Sequence, residues 1–274
     1  MSIDKRTVRC LAVITLLLAP IIASSLGAEE PAANAITVVY NHVRTESAAD
    51  LQPGGGFGAF IEFDGKVILF DTGGQTDVLL QNIQELKKDA SRIEAVVISH
   101  NHWDHVYGLP GVVSVTRDRP RIYVPESSRE AILQQNPRAT RVAVDGPTQI
   151  MPGVWVIGPL EIEYRGMPLA EQALVIEHED GLIVLVGCSH PGIVDIVERV
   201  KELFEGKKIL FVGGGFHLRS SPQDEIRIIS TKLRQHGVKQ IAPSHCTGND
   251  AMAIFRQEWG EEFLSFNLGD SFTF

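Results

Sequence analysis

The chain has 274 residues, 44% of them hydrophobic, and its 25 basic and 34 acidic side chains give a net charge of −9. That length supplies one large domain with a full core. The acidic balance, with no Lys/Arg cluster in the body of the chain, argues against nucleic acid or an anionic membrane surface as partner. A small anionic substrate is still compatible, because a metal site carries its own positive charge.

Residues 1–28 read as a secretory signal peptide. Lys5, Arg6 and Arg9 precede the apolar run 10–23, and Ser24, Ser25, Gly27 and Ala28 supply small residues for cleavage. The run is shorter than the roughly 20 residues that span a bilayer, so an uncleaved anchor is the second reading. The expectation is a periplasmic or secreted protein, with residues 29–274 as a single catalytic domain. Loss of the leader removes Cys10. Cys188 and Cys246 remain, either as a disulfide or, since each stands beside a His, at a metal centre.

In chain order, residues 36–40 form the first strand candidate. Pro53-Gly54-Gly55-Gly56-Phe57-Gly58 lacks the helix that follows a dinucleotide motif and reads as a flexible loop over the site. Strands 59–63 and 66–70 flank Asp64-Gly65, a two-residue hairpin signal, and the second runs into Asp71-Thr72-Gly73-Gly74. The spacing predicts an amphipathic helix over 76–90, with Thr76 as N-cap and Val78, Leu79, Ile83 and Leu86 on one face. Strand 93–98 opens into Ser99-His100-Asn101-His102-Trp103-Asp104-His105. Leu109-Pro110-Gly111 reads as a turn, 121–124 as a strand, and the segment from about 125 to 140 as starting with a helix.

Strands follow at 154–157 and 162–164, then a hairpin of 173–177 and 182–186 around Asp180-Gly181. It leads into Gly187-Cys188-Ser189-His190-Pro191-Gly192 and a helix over 193–204. Strand 209–212 opens into Gly213-Gly214-Gly215-Phe216-His217, and helix 222–236 stops at Gly237. Strand 240–242 ends at Pro243-Ser244-His245-Cys246-Thr247-Gly248. A last helix and a strand at 271–274 finish the chain.

Five apolar strands thus end in small-residue turns that carry ligand-type side chains: Asp71, His100, Cys188 with His190, His217 and His245. Six of the nine His gather at these turns. His42 does not, and neither do His178 and His236, which read as structural or solvated. His100 and His102, two apart at the end of an extended segment, leave on the same side, and a turn returns Asp104 and His105 beside them. Imidazoles with a carboxylate suit zinc, with iron or manganese as alternatives.

The His100–His105 run resembles the HxHxDH signature of the metallo-β-lactamase-fold hydrolases. Leu69-Phe70-Asp71-Thr72-Gly73 is similar to that family's earlier Asp-bearing turn, and Pro243-Ser244-His245 to its last ligand His. The resemblance implies an α+β, four-layer αββα sandwich with two divalent metal ions. His100 and His102 would hold the first, and Asp104, His105 and His245 the second, while Asp71 orients a ligand imidazole.

The middle of the chain departs from the common pattern: residues 166–172 hold no His, and Gly187-Cys188 stands where Gly-Asp is expected. Its three unusual blocks, at 187–192, 214–217 and 245–248, resemble the dihydropterin–ribofuranosylaminobenzene-phosphate synthase branch. His190 is then the candidate third ligand of the first metal. Cys188 is either a bridging thiolate or a small buried residue that positions His190. His217 is a ligand, a donor to substrate oxyanions, or structural.

The expected function is that of an exported metallohydrolase. Metal-activated hydroxide would attack a small ester, lactone, thioester, lactam or phosphate ester, with Asp104, His217 and Asp71 as the catalytic set. The branch's own condensation fits poorly, because pterin precursors are cytoplasmic and the leader indicates export. Two alternatives stay open: a metal-dependent transferase or redox enzyme, and a catalytically idle metal-binding protein. A small molecule is the expected partner. Phe57, Phe60 and Trp103 form an apolar wall over the site, or Phe60 belongs to the core.

Overall fold

The computed structural model describes residues 34–128 and 139–274; the leader and residues 129–138 of the segment expected to start with a helix lie outside them, and its described start is a strand end at Pro125 and a short 3-10 turn, Glu126–Ser128. Among the described residues no helix is long and apolar enough to cross a membrane.

The first sheet is built from β1 (Ala35–Tyr40), β2 (Gly58–Phe63), β3 (Lys66–Phe70), β4 (Ile93–Val97), β5 (Arg121–Pro125) and β6 (Thr140–Val144). The second takes β7 (Thr148–Met151), β8 (Val154–Tyr164), β9 (Met167–His178), β10 (Gly181–Val186), β11 (Ile209–Gly215) and β12 (Gln240–Ser244). The terminal β13 (Ser271–Thr273) returns beside β1. Strand orders are β13-β1-β2-β3-β4-β5-β6 and β12-β11-β10-β9-β8-β7. Asp64 and Gly65, both at positive φ, close the β2–β3 hairpin as the sequence predicts.

Alternation along the strands explains the layering. From β3, Ile68 and Phe70 face the inter-sheet core with Val97, Leu174, Leu185 and Phe211, whereas Val67 and Leu69 face outward. That outer face is covered by α1 (Thr76–Glu85), while α2 (Trp103–Val106) follows the His-rich turn and α3 (Leu109–Val115) packs beside α1. On the second sheet Leu182, Val184 and Val186 meet α4 (Ile193–Leu203), α5 (Gln223–Gln235) and α6 (Asn249–Trp259). Both faces of each central strand are buried, which is why those strands read as continuous apolar runs. The result is the four-layer αββα sandwich.

Several local expectations are corrected. The first helix ends at Glu85, because Lys87 takes a left-handed φ of 57°. Its N-cap is Gln75, and the Thr76 hydroxyl instead donates to the Tyr107 carbonyl at 3.2 Å. Leu109-Pro110-Gly111 opens a helix; Pro110 sits in the first turn, where its missing N–H costs nothing, and Val112 and Val113 are buried. Strands 154–157 and 162–164 are one strand, with a register shift between Ile157 and Leu160 around Gly158-Pro159. The second half of the 53–58 stretch, Gly56 to Gly58, is buried and packed. A Cβ on Gly56 would stand 2.2 Å from the Asp104 carbonyl oxygen, and the fully buried Phe57 donates its N–H to that same carbonyl at 3.2 Å. Gly56 is a glycine because backbone meets backbone there, whereas Gly54 and Gly55 lie against the side chains of Tyr40 and Trp103.

One residue ties the two sheets. Gln172 on β9 donates its backbone N–H to the Ser99 carbonyl at 2.9 Å, and its side-chain amide donates to the carbonyls of Ile98 and Tyr123 at 2.8 and 3.2 Å.

Candidate metal centre

The turns after β3, β4, β10, β11 and β12 converge at one edge of the sandwich. Beyond β4, His100 is fully buried; its Nδ1 stands 2.9 Å from the Ser99 hydroxyl and its Nε2 3.0 Å from His102 Nδ1. Burial and the charge of His105 push the proton affinity of His100 well below the imidazole range, and burial with His190 lowers that of His102. Both are therefore neutral rings with lone pairs to offer. Donor atoms of His100, His102 and His190 lie within 4.8 Å of one another.

Asp104, His105 and His245 make a second such set. Asp104 Oδ2 lies 3.8 Å from His105 Nε2 and 3.5 Å from His245 Nε2. Against its own desolvation, contact with His245 and His105 holds the Asp104 carboxyl well below the carboxylate range. Asp71, at the left-handed end of β3 (φ 57°), is fully buried. Its carboxylate accepts from the Ser99 N–H, the Ser99 hydroxyl and His105 Nδ1, each at 2.7 Å. Burial opposes a charge on His105, but Asp71 overrides it and lifts that imidazole to about 9. With Nδ1 committed to Asp71, Nε2 is the His105 atom that faces the site.

Cys188 sits between the sets. Its Sγ is 3.4 Å from His105 Nε2, and it groups with His100 and His105 and also with His190 and His217. Cys246 comes beside it, its Sγ 3.7 Å from the Cys188 carbonyl, and both are free thiols. Gly215 makes room: a Cβ there would meet Cys246 Sγ at 2.6 Å. Of the two thiols Cys246 ionises more readily. Against burial, the proximity of Cys188 and His217 favours its thiolate, and the same neighbourhood of Cys246, then burial, raises Cys188.

Sequence reasoning missed two residues. Glu171 on β9, 1% exposed, accepts three consecutive backbone N–H groups, from Cys188, Ser189 and His190, at 2.9, 2.7 and 2.8 Å. It also accepts from His190 Nδ1 at 2.8 Å, which turns His190 Nε2 toward His100 and His102. Desolvation opposes its ionisation, yet His100, His190 and these N–H donors hold it well below the carboxylate range. The available signal was a lone carboxylate inside the apolar strand segment Leu169-Ala170-Glu171-Gln172-Ala173-Leu174. Tyr164, at the end of β8, meets His217 Nε2 with its hydroxyl at 3.1 Å and sets its ring 4.5 Å from that of His190.

His217, held at φ 53°, keeps a buried Nδ1 with no hydrogen-bond partner, and both ring nitrogens of His245 are likewise buried and unpartnered. The orphaned nitrogens of His245 in one of two convergent N/O sets, and of His217 beside Cys188 and His190, fit the donor chemistry of divalent transition ions. Above them opens a pocket of about 730 Å³ lined by Trp103, Tyr164, Arg165, His217 and Arg219. Trp103 is half exposed and serves as a wall, whereas Phe57 and Phe60 are core. His42 reaches the neighbourhood, its ring 6.0 Å from His245. His178 and His236 lie elsewhere, beside Asp180 and Glu198.

The profile of the metallo-beta-lactamase superfamily matches residues 51–213, and the chain belongs to that superfamily. It is 30% identical over 251 residues to the 7,8-dihydropterin-6-methyl-4-(beta-D-ribofuranosyl)-aminobenzene-5'-phosphate synthase of Methanocaldococcus jannaschii, a match covering 76% of this chain and 85% of that one. Among solved structures it is similar to Tm1679, a metal-dependent hydrolase of the beta-lactamase superfamily, at TM-score 0.73 and 28% identity over 87% of this chain and 98% of that one. The metallo-beta-lactamase fold protein YhfI of Bacillus subtilis shares the fold at TM-score 0.61 and 12% identity, covering 88% and 100%.

Proposed function

We propose that the chain is an exported hydrolase that holds two divalent ions, zinc first with iron or manganese as alternatives, and cleaves a small ester, lactone, thioester, lactam or phosphate ester. The supporting observation is the pair of donor sets, His100/His102/His190 and Asp104/His105/His245, that meet at Cys188 beneath an open pocket. Divalent ions held there supply Lewis acidity and lower the pKa of water toward neutrality.

The chain's own residues do the rest. Glu171 and Asp71 each accept from an Nδ1–H, so His190 and His105 offer Nε2. Asp104, ionised at neutral pH, is ligand and proton acceptor for the attacking water. His217 and the Tyr164 hydroxyl, hydrogen-bonded to each other on the pocket wall, are the polar pair for the substrate oxygen that gains charge, His217 Nε2 or the hydroxyl donating once their mutual bond opens. Trp103 and Tyr164 pack against the substrate's apolar part. Export rests on the leader described above.

A second reading, a transferase or redox enzyme, is favoured by the synthase relative and by the Cys188–Cys246 thiols at the centre. Metal analysis with turnover assays on the purified chain separates the readings. About two ions per chain with hydrolysis of aryl esters or aryl phosphates upholds the first. Iron with oxygen consumption or thiol oxidation selects the second, and bound metal without turnover leaves an idle binder.

A further inference from the structure

The geometry points to a second subsite behind His245 that binds a tetrahedral oxyanion, the phosphate end of a phosphorylated small-molecule substrate. It deepens the hydrolase reading and rests on it for the chemistry at the other end of the ligand.

The subsite is a cleft of about 630 Å³ lined by Asn41, His42, Arg219, Asn249, Arg256 and Asn267, with His245 as its wall toward the metal centre. Two arginines and two imidazoles line it, and no carboxylate does. In a chain with 34 acidic against 25 basic residues, that lining runs against the composition. On the neighbouring α5 both arginines are neutralised: Arg227 pairs with Glu258 at 2.7 Å and Arg234 with Glu262 at 2.8 Å. Arg256, on the same helix as Glu258, has no carboxylate partner among the described residues; its guanidinium lies over the Phe263 ring. Arg219 makes no hydrogen bond or ion pair among them. The nearby Asp270 is committed to its own loop, accepting from the Ser265 hydroxyl and the Asn267 N–H.

A third source of positive potential joins the arginines. α6 begins at Asn249 on the cleft, behind Gly248 (φ 88°), and no side chain caps its first N–H groups. Asp250 in that turn does not line the cleft. Gly248 also lets the helix start lie against Arg219, since a Cβ there would meet the Arg219 Cα at 2.5 Å. Two arginines, an imidazole, amides and a helix start around one cleft suit a dianion with many acceptor oxygens better than a planar carboxylate.

The cleft borders the pocket over the metal centre. Arg219 and His245 line both it and the pocket over the metal centre. The two sites are thus adjacent across Arg219 and His245, close enough for the two ends of one extended ligand.

The test uses metal-loaded full chain, with inorganic phosphate and acetate as probes in calorimetric titrations. Arg256→Gln is the main variant, because Arg256 lines the cleft and not the metal pocket; Arg219→Gln is the second. Each substitution is expected to weaken phosphate binding by about tenfold with metal content unchanged, and acetate to bind at least about tenfold more weakly than phosphate. Thermal melting checks folding, and either arginine variant suffices if the other fails to fold. Equal phosphate affinity in wild type and a folded arginine variant overturns the proposal. So does phosphate binding lost only in His190→Ala, which would put the anion on the metals, or acetate binding as tight as phosphate. Arginine-dependent phosphate binding in a chain without turnover would uphold the subsite while defeating the hydrolase reading.

Discussion

Glu171 and His190 are joined twice: one carboxylate oxygen accepts from both the backbone N–H and the ring Nδ1 of His190, each at 2.8 Å. A buried carboxylate 19 residues away, on the far side of β10 in sequence, thus sets the position and the tautomer of a candidate ligand. Glu171→Gln replaces acceptor capacity with an NH2 group that faces N–H donors. Metal affinity is expected to fall about 10- to 100-fold, read by competitive chelator titration. Unchanged affinity would show that His190 does not hold metal.

Asp71 gives a pH-dependent signature. In the metal-free protein His105 rises to about 9 from 6.5, so the folded chain holds an extra proton between those values. The stability this supplies, on the order of 3 kcal/mol, is fully present below about pH 6.5 and lost as pH rises through about 9. In urea titrations of chelator-treated protein, Asp71→Asn should remove that descent, so wild type and variant converge toward pH 10. A constant difference from pH 6 to 10 would refute the pairing as its source.

Cys188 is tested by spectroscopy. With cobalt in place of the native ion, a Cys188 thiolate ligand produces thiolate-to-metal charge-transfer absorption, which Cys188→Ser should abolish and Cys246→Ser retain. Absorption that survives Cys188→Ser reduces Cys188 to a packing residue.

Gly56→Ala probes the packed glycine turn. Its new Cβ collides with the Asp104 carbonyl, so unfolding stability should drop by at least about 2 kcal/mol. A flexible flap would tolerate the change, and an unaltered urea midpoint would restore that view.

The sequence made most of this legible where a single local signal sufficed. Asp64-Gly65 announced a hairpin, and apolar runs ending at Asp71, His100, His190, His217 and His245 announced a cluster of strand ends. What escaped depended on long-range contact. Glu171 looks like any strand residue until β9 lies against the loop after β10, and Tyr164 matters only once β8 extends unbroken past Gly158-Pro159. Gly56 reads as flexible because no local pattern reveals that Asp104 stands against it. Leu109-Pro110-Gly111 carried turn residues, yet burial of Val112 and Val113 outweighed their preference.

Glu171 and Gln172 are neighbours on one strand, so their side chains leave on opposite faces. One serves the loop of the second sheet that carries Cys188 and His190; the other fastens the first sheet at Ile98, just ahead of His100. This dipeptide works as a spacing gauge between the two halves of the molecule. Deleting one residue earlier in β9, with the strand sliding by one place, would put Gln172 where Glu171 stands and Ala173 where Gln172 stands, removing the carboxylate from one loop and the amide from the other, and so uncouple both donor sets at once without touching a single ligand.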